Sequence, residues 1–187
     1  NIWYFQVYPH KRKKNWKDSD KNMLNIADNY NLKDIYDFQL SFETPYFFNV
    51  DFEVWKKSFE DDIDGEGRVL FKELDVKTVY DEDELLGFVQ YGKTNFGFDE
   101  SGEISSDVSY QIIRNLYFKE GRDDVGKLLL NDTVNSLDTD KRIYAFFHYF
   151  GMSCFSRHGK LSSNLQEIED LLLMNGFVSN ETNVYYS

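Results

Sequence analysis

The sequence predicts an α+β fold in which helices flank a mixed, mostly antiparallel sheet. Two observations lead to this prediction. The alternating segment 68–80 and the apolar segment 84–91 are joined by the acidic turn 81–83, which is the pattern of an antiparallel hairpin. Later, a strand at 109–118, a helix at 125–134 and a strand at 142–150 follow one another. This order predicts one parallel pair of strands joined by a crossover helix.

Three further helices follow from the spacing of apolar residues. They recur at helical spacing after Asn31 and again after Asp51, which predicts two short helices separated by an aromatic linker. A helix is also predicted over 161–174, and Asn175 and Gly176 end it.

Residues 2–8 are rich in β-branched and aromatic side chains, and residues 23–27 form a weaker strand candidate. We therefore expect an N-terminal arm or edge strand over 1–22 and one domain over 23–187. The chain begins without Met and stops within a predicted strand, so a longer native chain stays an open alternative.

Composition narrows the class of partner. The net charge of -12 argues against nucleic acid, which needs a basic surface, and no segment has the apolar length of a membrane span. The single cysteine, Cys154, excludes an internal disulfide framework and fits a reducing cytoplasm. The three histidines show no zinc spacing, so no metal is predicted. Oligomeric state stays open, and a homodimer is one alternative.

The most informative stretch runs from Ile112 to Leu130. It reads as an apolar strand, a short polar turn with glycines, and then a helix. The N-terminus of a helix presents free N–H groups and a partial positive charge, so this junction can hold a diphosphate.

This stretch resembles the central acyl-CoA motif of the GNAT superfamily of N-acyltransferases. The family pattern is an apolar strand, Arg or Gln, two residues, Gly, one residue, Gly or Ala, and a helix with paired leucines. Gly126 and the leucines at 129–130 match this pattern, whereas Asp124 stands at the first glycine and Gly121 at the basic position, one place before Arg122.

The resemblance extends over about residues 23–187, and the pair Gly176-Phe177 is similar to the family's closing signature. It implies a sheet splayed between the two parallel strands, acetyl-CoA as co-substrate and an amine as acceptor. Backbone groups near Leu116 and Phe118 would bond the pantetheine amides and polarise the thioester carbonyl. The residues implied to bind the cofactor are Leu116, Tyr117, Phe118, Gly121, Arg122, Asp123, Asp124, Val125, Gly126 and Lys127.

The proton donor is less well defined. In the family, a Tyr five residues before the Phe of the closing signature often protonates the departing thiolate, and Leu172 stands there in this chain. The replacements considered are Tyr149, Ser153, Cys154 and Tyr185. We take Tyr149 and Tyr185, together with the backbone of Leu116, as the catalytic candidates.

Other roles stay open. The general base is open among Glu73, Glu103 and Asp107. Cys154 as a covalent nucleophile, with His148 or His158 as its base, is an alternative to direct attack by the amine. The aromatic residues of the early helices and their linker form either an acceptor pocket or core: Tyr46, Phe47, Phe48, Phe52 and Trp55.

The leading hypothesis is an enzyme that transfers an acetyl group from acetyl-CoA to a primary amine in a ternary complex. The alternative is a non-catalytic acyl-CoA-binding or protein-interaction module with the same fold. Leu172 at the position of the family's Tyr favours that alternative.

Overall fold

The computed structural model describes residues 2–3, 5–7, 24–42, 50–60, 62–138, 141–155 and 160–179. The strands of this part are β1 (Ile2–Trp3), β2 (Phe5–Val7), β3 (Ile26–Ala27), β4 (Phe71–Asp81), β5 (Glu84–Thr94), β6 (Gly97–Phe98), β7 (Ile104–Ser105), β8 (Gln111–Phe118), β9 (Ile143–Ala145), β10 (Leu161–Ser162) and β11 (Phe177–Ser179). The α-helices are α1 (Leu32–Leu40), α2 (Phe52–Glu60), α3 (Asp123–Ser136) and α4 (Gln166–Met174). A 3₁₀ helix covers His148–Phe150.

Seven of these strands form one sheet in the order β11-β2-β9-β8-β5-β4-β3. Neighbouring strands are antiparallel except β8 and β9, which are parallel. The α+β class with a mixed, mostly antiparallel sheet is therefore confirmed. Strand β2 pairs with β9 on one side and β11 on the other, so it lies inside the sheet. This differs from the arm or edge strand expected over residues 1–22.

The helices cover both faces of the sheet. Phe88 of β5 packs against Phe59 of α2, with ring centroids 6.3 Å apart. The neighbouring Gly87 lies against Val125 of α3. Because successive residues of a strand face opposite sides, α2 and α3 lie on opposite faces. The main core forms between these layers, and it includes Trp55 and Leu116, both fully buried.

The helix ends follow local sequence signals. The side chain of Asn31 accepts a hydrogen bond from the Lys33 amide (2.8 Å), which confirms the predicted N-cap of α1. Gly176 has a φ of +89° directly after α4, as expected for a C-terminal glycine. The prediction of one helix over 161–174 was wrong at its start, because residues 161–162 pair with β1 and α4 begins at Gln166.

The predicted strand over 142–150 was also wrong in its second half. Strand β9 ends at Ala145, and Phe146 adopts the left-handed region with a φ of +55°. The chain therefore leaves the sheet and enters the 3₁₀ helix. Among the described residues, no helix is both long enough and apolar enough to cross a membrane.

Candidate functional site

Strand β8 has two neighbours over its first half and one over its second half. Residues 111–113 pair in parallel with residues 143–145 of β9. The amide of Phe146 donates to the carbonyl of Ile113 (2.9 Å), and β9 then departs. From Arg114 to Phe118, β8 keeps β5 as its neighbour, and the described part of the chain supplies no strand on the other side.

The register with β5 fixes where the backbone of β8 points. The amide of Lys119 donates to the carbonyl of Leu86 (2.8 Å). Along an antiparallel pair, residues that bond the neighbouring strand alternate with residues whose backbone groups point the other way. Lys119 bonds β5, so the backbone groups of Phe118 and Leu116 point away from β5, toward the side that β9 has left. Both residues are nevertheless buried, with 0% and 2% of their surface exposed, so this edge is covered in the present conformation.

A β-bulge interrupts β8 where β9 departs. Gln90 lies opposite Asn115 and Tyr91 lies opposite Ile113, so Arg114 is the extra residue. Since a bulge breaks the alternation of side chains, Arg114 and Asn115 both face the α1 and α2 side, where their partners lie.

The guanidinium of Arg114 is fully buried and uses all five of its N–H donors. Nε donates to the carbonyl of Phe150 (3.0 Å), Nη1 to those of Ser58 (3.0 Å) and Phe59 (3.4 Å), and Nη2 to that of Gly151 (3.1 Å). The fifth bond joins Nη2 to the carboxylate of Asp62, itself 3% exposed. Burial lowers the pKa of Arg114 to about 10 although Asp62 opposes the shift, so the side chain is charged at neutral pH.

Asp62 connects this arginine to the segment after the 3₁₀ helix. Its carboxylate accepts from the amide of Ser153 (2.9 Å), from Ser153 Oγ (2.5 Å) and from Ser58 Oγ (3.1 Å). The ion pair therefore holds the end of α2, the bulge of β8 and residues 150–153 together. The gap beside β8, which opens where β9 departs, is thus bordered by a network of polar groups that are hydrogen-bonded to one another.

The turn between β8 and α3 carries the residues implied to bind a diphosphate. Gly121 has a φ of +75°, which a residue with a Cβ rarely adopts. Helix α3 has no side-chain cap at Arg122. The guanidinium of Arg122 instead makes two 2.9 Å hydrogen bonds to Asp124 and holds the pKa of that carboxyl below its usual value. Lys127 Nζ lies 4.0 Å from Asp123.

A carboxylate from α4 reaches this turn. The amide of Gly121 donates to Glu167, at 3.1 Å to Oε2 and 3.3 Å to Oε1. A side chain therefore occupies one backbone donor of the predicted diphosphate site. Gly126, the best match to the family motif, has a packing role, because a Cβ there would lie 2.7 Å from the Phe118 ring and 2.9 Å from Leu171.

The proposed proton donors do not gather around Leu116. Tyr149 lies in the 3₁₀ helix, packs on Phe96 and Phe98, and its hydroxyl accepts from Arg68 Nη2 (3.1 Å). This places Tyr149 with a second aromatic cluster, separate from the core that contains Leu116. Tyr185 and His158 lie outside the described residues. Leu172 is fully buried in the main core.

Burial makes the thiol of Cys154 a poor nucleophile, since it raises the pKa to about 11. Ser153 directs its hydroxyl to Asp62.

Of the three carboxylates considered as general base, Glu73 lines a polar pocket of about 280 Å³ that also includes Gln111. Because a strand rises about 3.3 Å per residue, Gln111 lies roughly 20 Å from Phe118 at the other end of β8. Glu103 and Asp107 belong to the segment that leads into β8, also at that end.

Three residues of this region were not foreseen from the sequence: Asp62, Arg114 and Glu167. One signal for Arg114 was available, because a charged residue stands inside the apolar run Ile112-Ile113-Arg114-Asn115-Leu116. Its partner lies 52 residues away and Glu167 lies 46 residues from Gly121, so no local pattern indicates either contact.

Within the described residues, no group of three or more His, Cys, Asp or Glu side chains is arranged to hold a metal ion.

The sequence matches no protein-family model and no curated protein. Among solved structures, the chain is similar to a functionally unknown conserved protein from Staphylococcus epidermidis ATCC 12228, with 10% sequence identity and a TM-score of 0.48. The similarity covers 96% of this chain and 57% of that protein, so the chain spans little more than half of that protein's length.

Proposed function

We propose that this chain is an acyl-CoA-dependent N-acyltransferase of the GNAT type, which transfers an acetyl group from acetyl-CoA to a primary amine. One observation carries the proposal. The parallel pair β8 and β9 holds for three residues and then separates, and the backbone of Leu116 and Phe118 points to the side that β9 leaves. A pantetheine arm needs such an edge in order to bond as an added strand.

The order of elements supports the same proposal. Helices α1 and α2 precede the hairpin β4–β5, and β8, α3, β9, α4 and β11 then follow in turn. This is the order that the resemblance to the GNAT superfamily implies. On this proposal, the departure of β9 from β8 corresponds to the family's splayed sheet.

In the proposed reaction, the lone pair of a neutral amine attacks the thioester carbon, and the bond from that carbon to sulfur breaks. The amine nitrogen loses a proton, and the thiolate leaving group gains one. The backbone near Leu116 would polarise the thioester carbonyl. The diphosphate would lie at the turn 121–127, where the amides of Arg122, Val125 and Gly126 already donate to backbone carbonyls, so those of Gly121 and Asp123 would bind it.

The present conformation fits this substrate only in part, because Glu167 occupies the amide of Gly121 and the edge at Leu116 is buried. Binding therefore requires Glu167 to move and the cover over β8 to open.

Calorimetry and thermal unfolding with acetyl-CoA test the binding step. We expect saturable heat and a rise in melting temperature, because a ligand that binds only the folded state stabilises it. ATP serves as a control for unspecific polyphosphate binding. Absence of both heat and a thermal shift at saturating acetyl-CoA, in the intact chain and also in Glu167→Ala, would rule out the proposal.

The second candidate is a non-catalytic module that binds acyl-CoA or another protein. Two observations favour it: the fully buried Leu172 takes the place of the family's Tyr, and Tyr149 packs in a cluster separate from Leu116. Release of free thiol from acetyl-CoA distinguishes the two candidates. An enzyme releases it only when a suitable amine is added, such as a polyamine, an aminoglycoside, an amino acid or a peptide N-terminus. A binding module releases none with any of them.

A further inference from the structure

The contact between Glu167 and Gly121 joins two helices whose N-termini lie together. Helix α3 begins at Asp123 and helix α4 at Gln166, and neither has a side-chain cap. Glu167 is in the first turn of α4, and its carboxylate accepts the hydrogen bond from the turn that leads into α3. The positive ends of two helix dipoles therefore meet at this carboxylate.

The charged side chains around the turn 121–124 show that Glu167 is the group that faces the positive ends of the two helices. Arg122 pairs with Asp124, and Lys127 approaches Asp123, so these four charges form two local pairs. Glu167 has no lysine or arginine partner among the described residues. Its contact is with backbone N–H and the helix ends, which is the environment that a phosphate group prefers.

We propose that Glu167 is an autoinhibitory anion, which occupies the diphosphate position of the acyl-CoA site and must swing away before the cofactor binds. This inference rests on the proposed function. Gly121 is exposed and Glu167 is partly exposed, so the contact can open without disturbing the core. Its carboxylate both takes up a backbone donor and repels the incoming phosphates.

The test compares CoA binding by the intact chain, by Glu167→Gln and by Asp170→Asn. The glutamine keeps an oxygen that can accept from Gly121 but carries no charge. Asp170 is an exposed residue of the same helix whose carboxylate contacts Gln166, so its substitution removes the same charge without touching the turn. We expect Glu167→Gln to tighten CoA binding about fourfold, the size expected for one unit charge about 5 Å from one phosphate charge in a solvated site. We expect less than a twofold change for Asp170→Asn.

Each outcome has a defined meaning, provided that the three proteins unfold at similar temperatures. If CoA binds the original chain, and Glu167→Gln binds it no more tightly than Asp170→Asn does, the autoinhibitory role is wrong while the proposed function stands. Weaker binding by Glu167→Gln would show that Glu167 supports the site, which also overturns the inference. If CoA binds none of the three proteins, nor Glu167→Ala, the proposed function fails and this inference fails with it.

Discussion

Replacing Arg114 with methionine tests whether the buried ion pair organises this fold. The methionine retains an apolar stem but removes the guanidinium, whose central carbon lies 5.1 Å from the centroid of the Phe71 ring, and with it all five donors. Four backbone carbonyls lose a donor, although that of Phe59 still accepts from Gln90 Nε2 (2.7 Å). Asp62, which is 3% exposed, loses its counter-charge. Removing one member of a buried pair costs about 3–5 kcal/mol. Since domains are stabilised by only about 5–15 kcal/mol, much of the free energy of unfolding should disappear.

The measurement is urea-induced unfolding followed by tryptophan fluorescence, because Trp55 is fully buried and reports on the core. Urea is preferred to guanidinium chloride, whose salt screens ion pairs. Arg122→Met is the matched control. It removes an arginine that bonds an aspartate through two nitrogens at the surface, and exposed pairs contribute no more than about 1 kcal/mol.

Two further variants separate the contribution of the charge of Arg114 from that of its hydrogen bonds. Arg114→Lys keeps the charge but has three donors in place of five, so we expect a loss of about 2 kcal/mol, between those of the other two substitutions. The double variant Arg114→Met with Asp62→Asn removes the stranded charge but keeps an oxygen that can accept from the Ser153 amide, and we expect it to recover about 2 kcal/mol relative to Arg114→Met alone. If Arg114→Met cost no more than Arg122→Met, the assignment of a buried, fully bonded guanidinium would be refuted.

Two other predictions concern packing and the thiol. Gly126→Ala should destabilise the chain by about 1–3 kcal/mol in a thermal unfolding assay, because its Cβ would overlap the Phe118 ring. Gly65→Ala is the control and should be neutral in the same assay, since no atom lies within 4 Å of the new Cβ. Cys154 should react with iodoacetamide at pH 8 about 100-fold more slowly in the folded chain than in urea, because burial raises its pKa from 9.0 to about 11. Since the folded state then holds the proton more tightly, the free energy of unfolding should decrease as pH rises from about 9 to about 11; rapid labelling at pH 8 would contradict both statements.

The elements that the sequence predicted well are those fixed by local chemistry. The Asn31 cap, the hairpin β4–β5 and the glycine end of α4 depend on residues within a few positions of one another. The parallel pair followed from the order of a strand, a helix and a strand, and it is confirmed. These features need no knowledge of distant contacts.

The predictions that failed depend on long-range contacts. Residues 142–150 are apolar enough for one strand, yet β9 stops at Ala145 because Phe146 takes a left-handed backbone conformation that its residue type does not indicate. Residues 161–162 leave the predicted helix because they pair with β1, at the opposite end of the chain. Similarly, the place of β2 between β9 and β11 depends on two strands more than 130 residues away. For the candidate site, the motif located the strand–helix junction but could not indicate the contact between Gly121 and Glu167.

The departure of β9 and the burial of Arg114 are best understood as one feature. When a strand leaves a sheet inside the core, the carbonyls of the irregular segment that follows lose their ladder partners, and buried carbonyls without donors are costly. Here those of Phe150 and Gly151 are satisfied by the guanidinium, together with two carbonyls at the end of α2. Arginine is the side chain with five donors in one plane, which is why a charge can be tolerated inside an apolar strand. In this chain, the lone arginine of β8 therefore lies where the parallel pair separates, and this is the geometry on which the proposed acyl-CoA site depends.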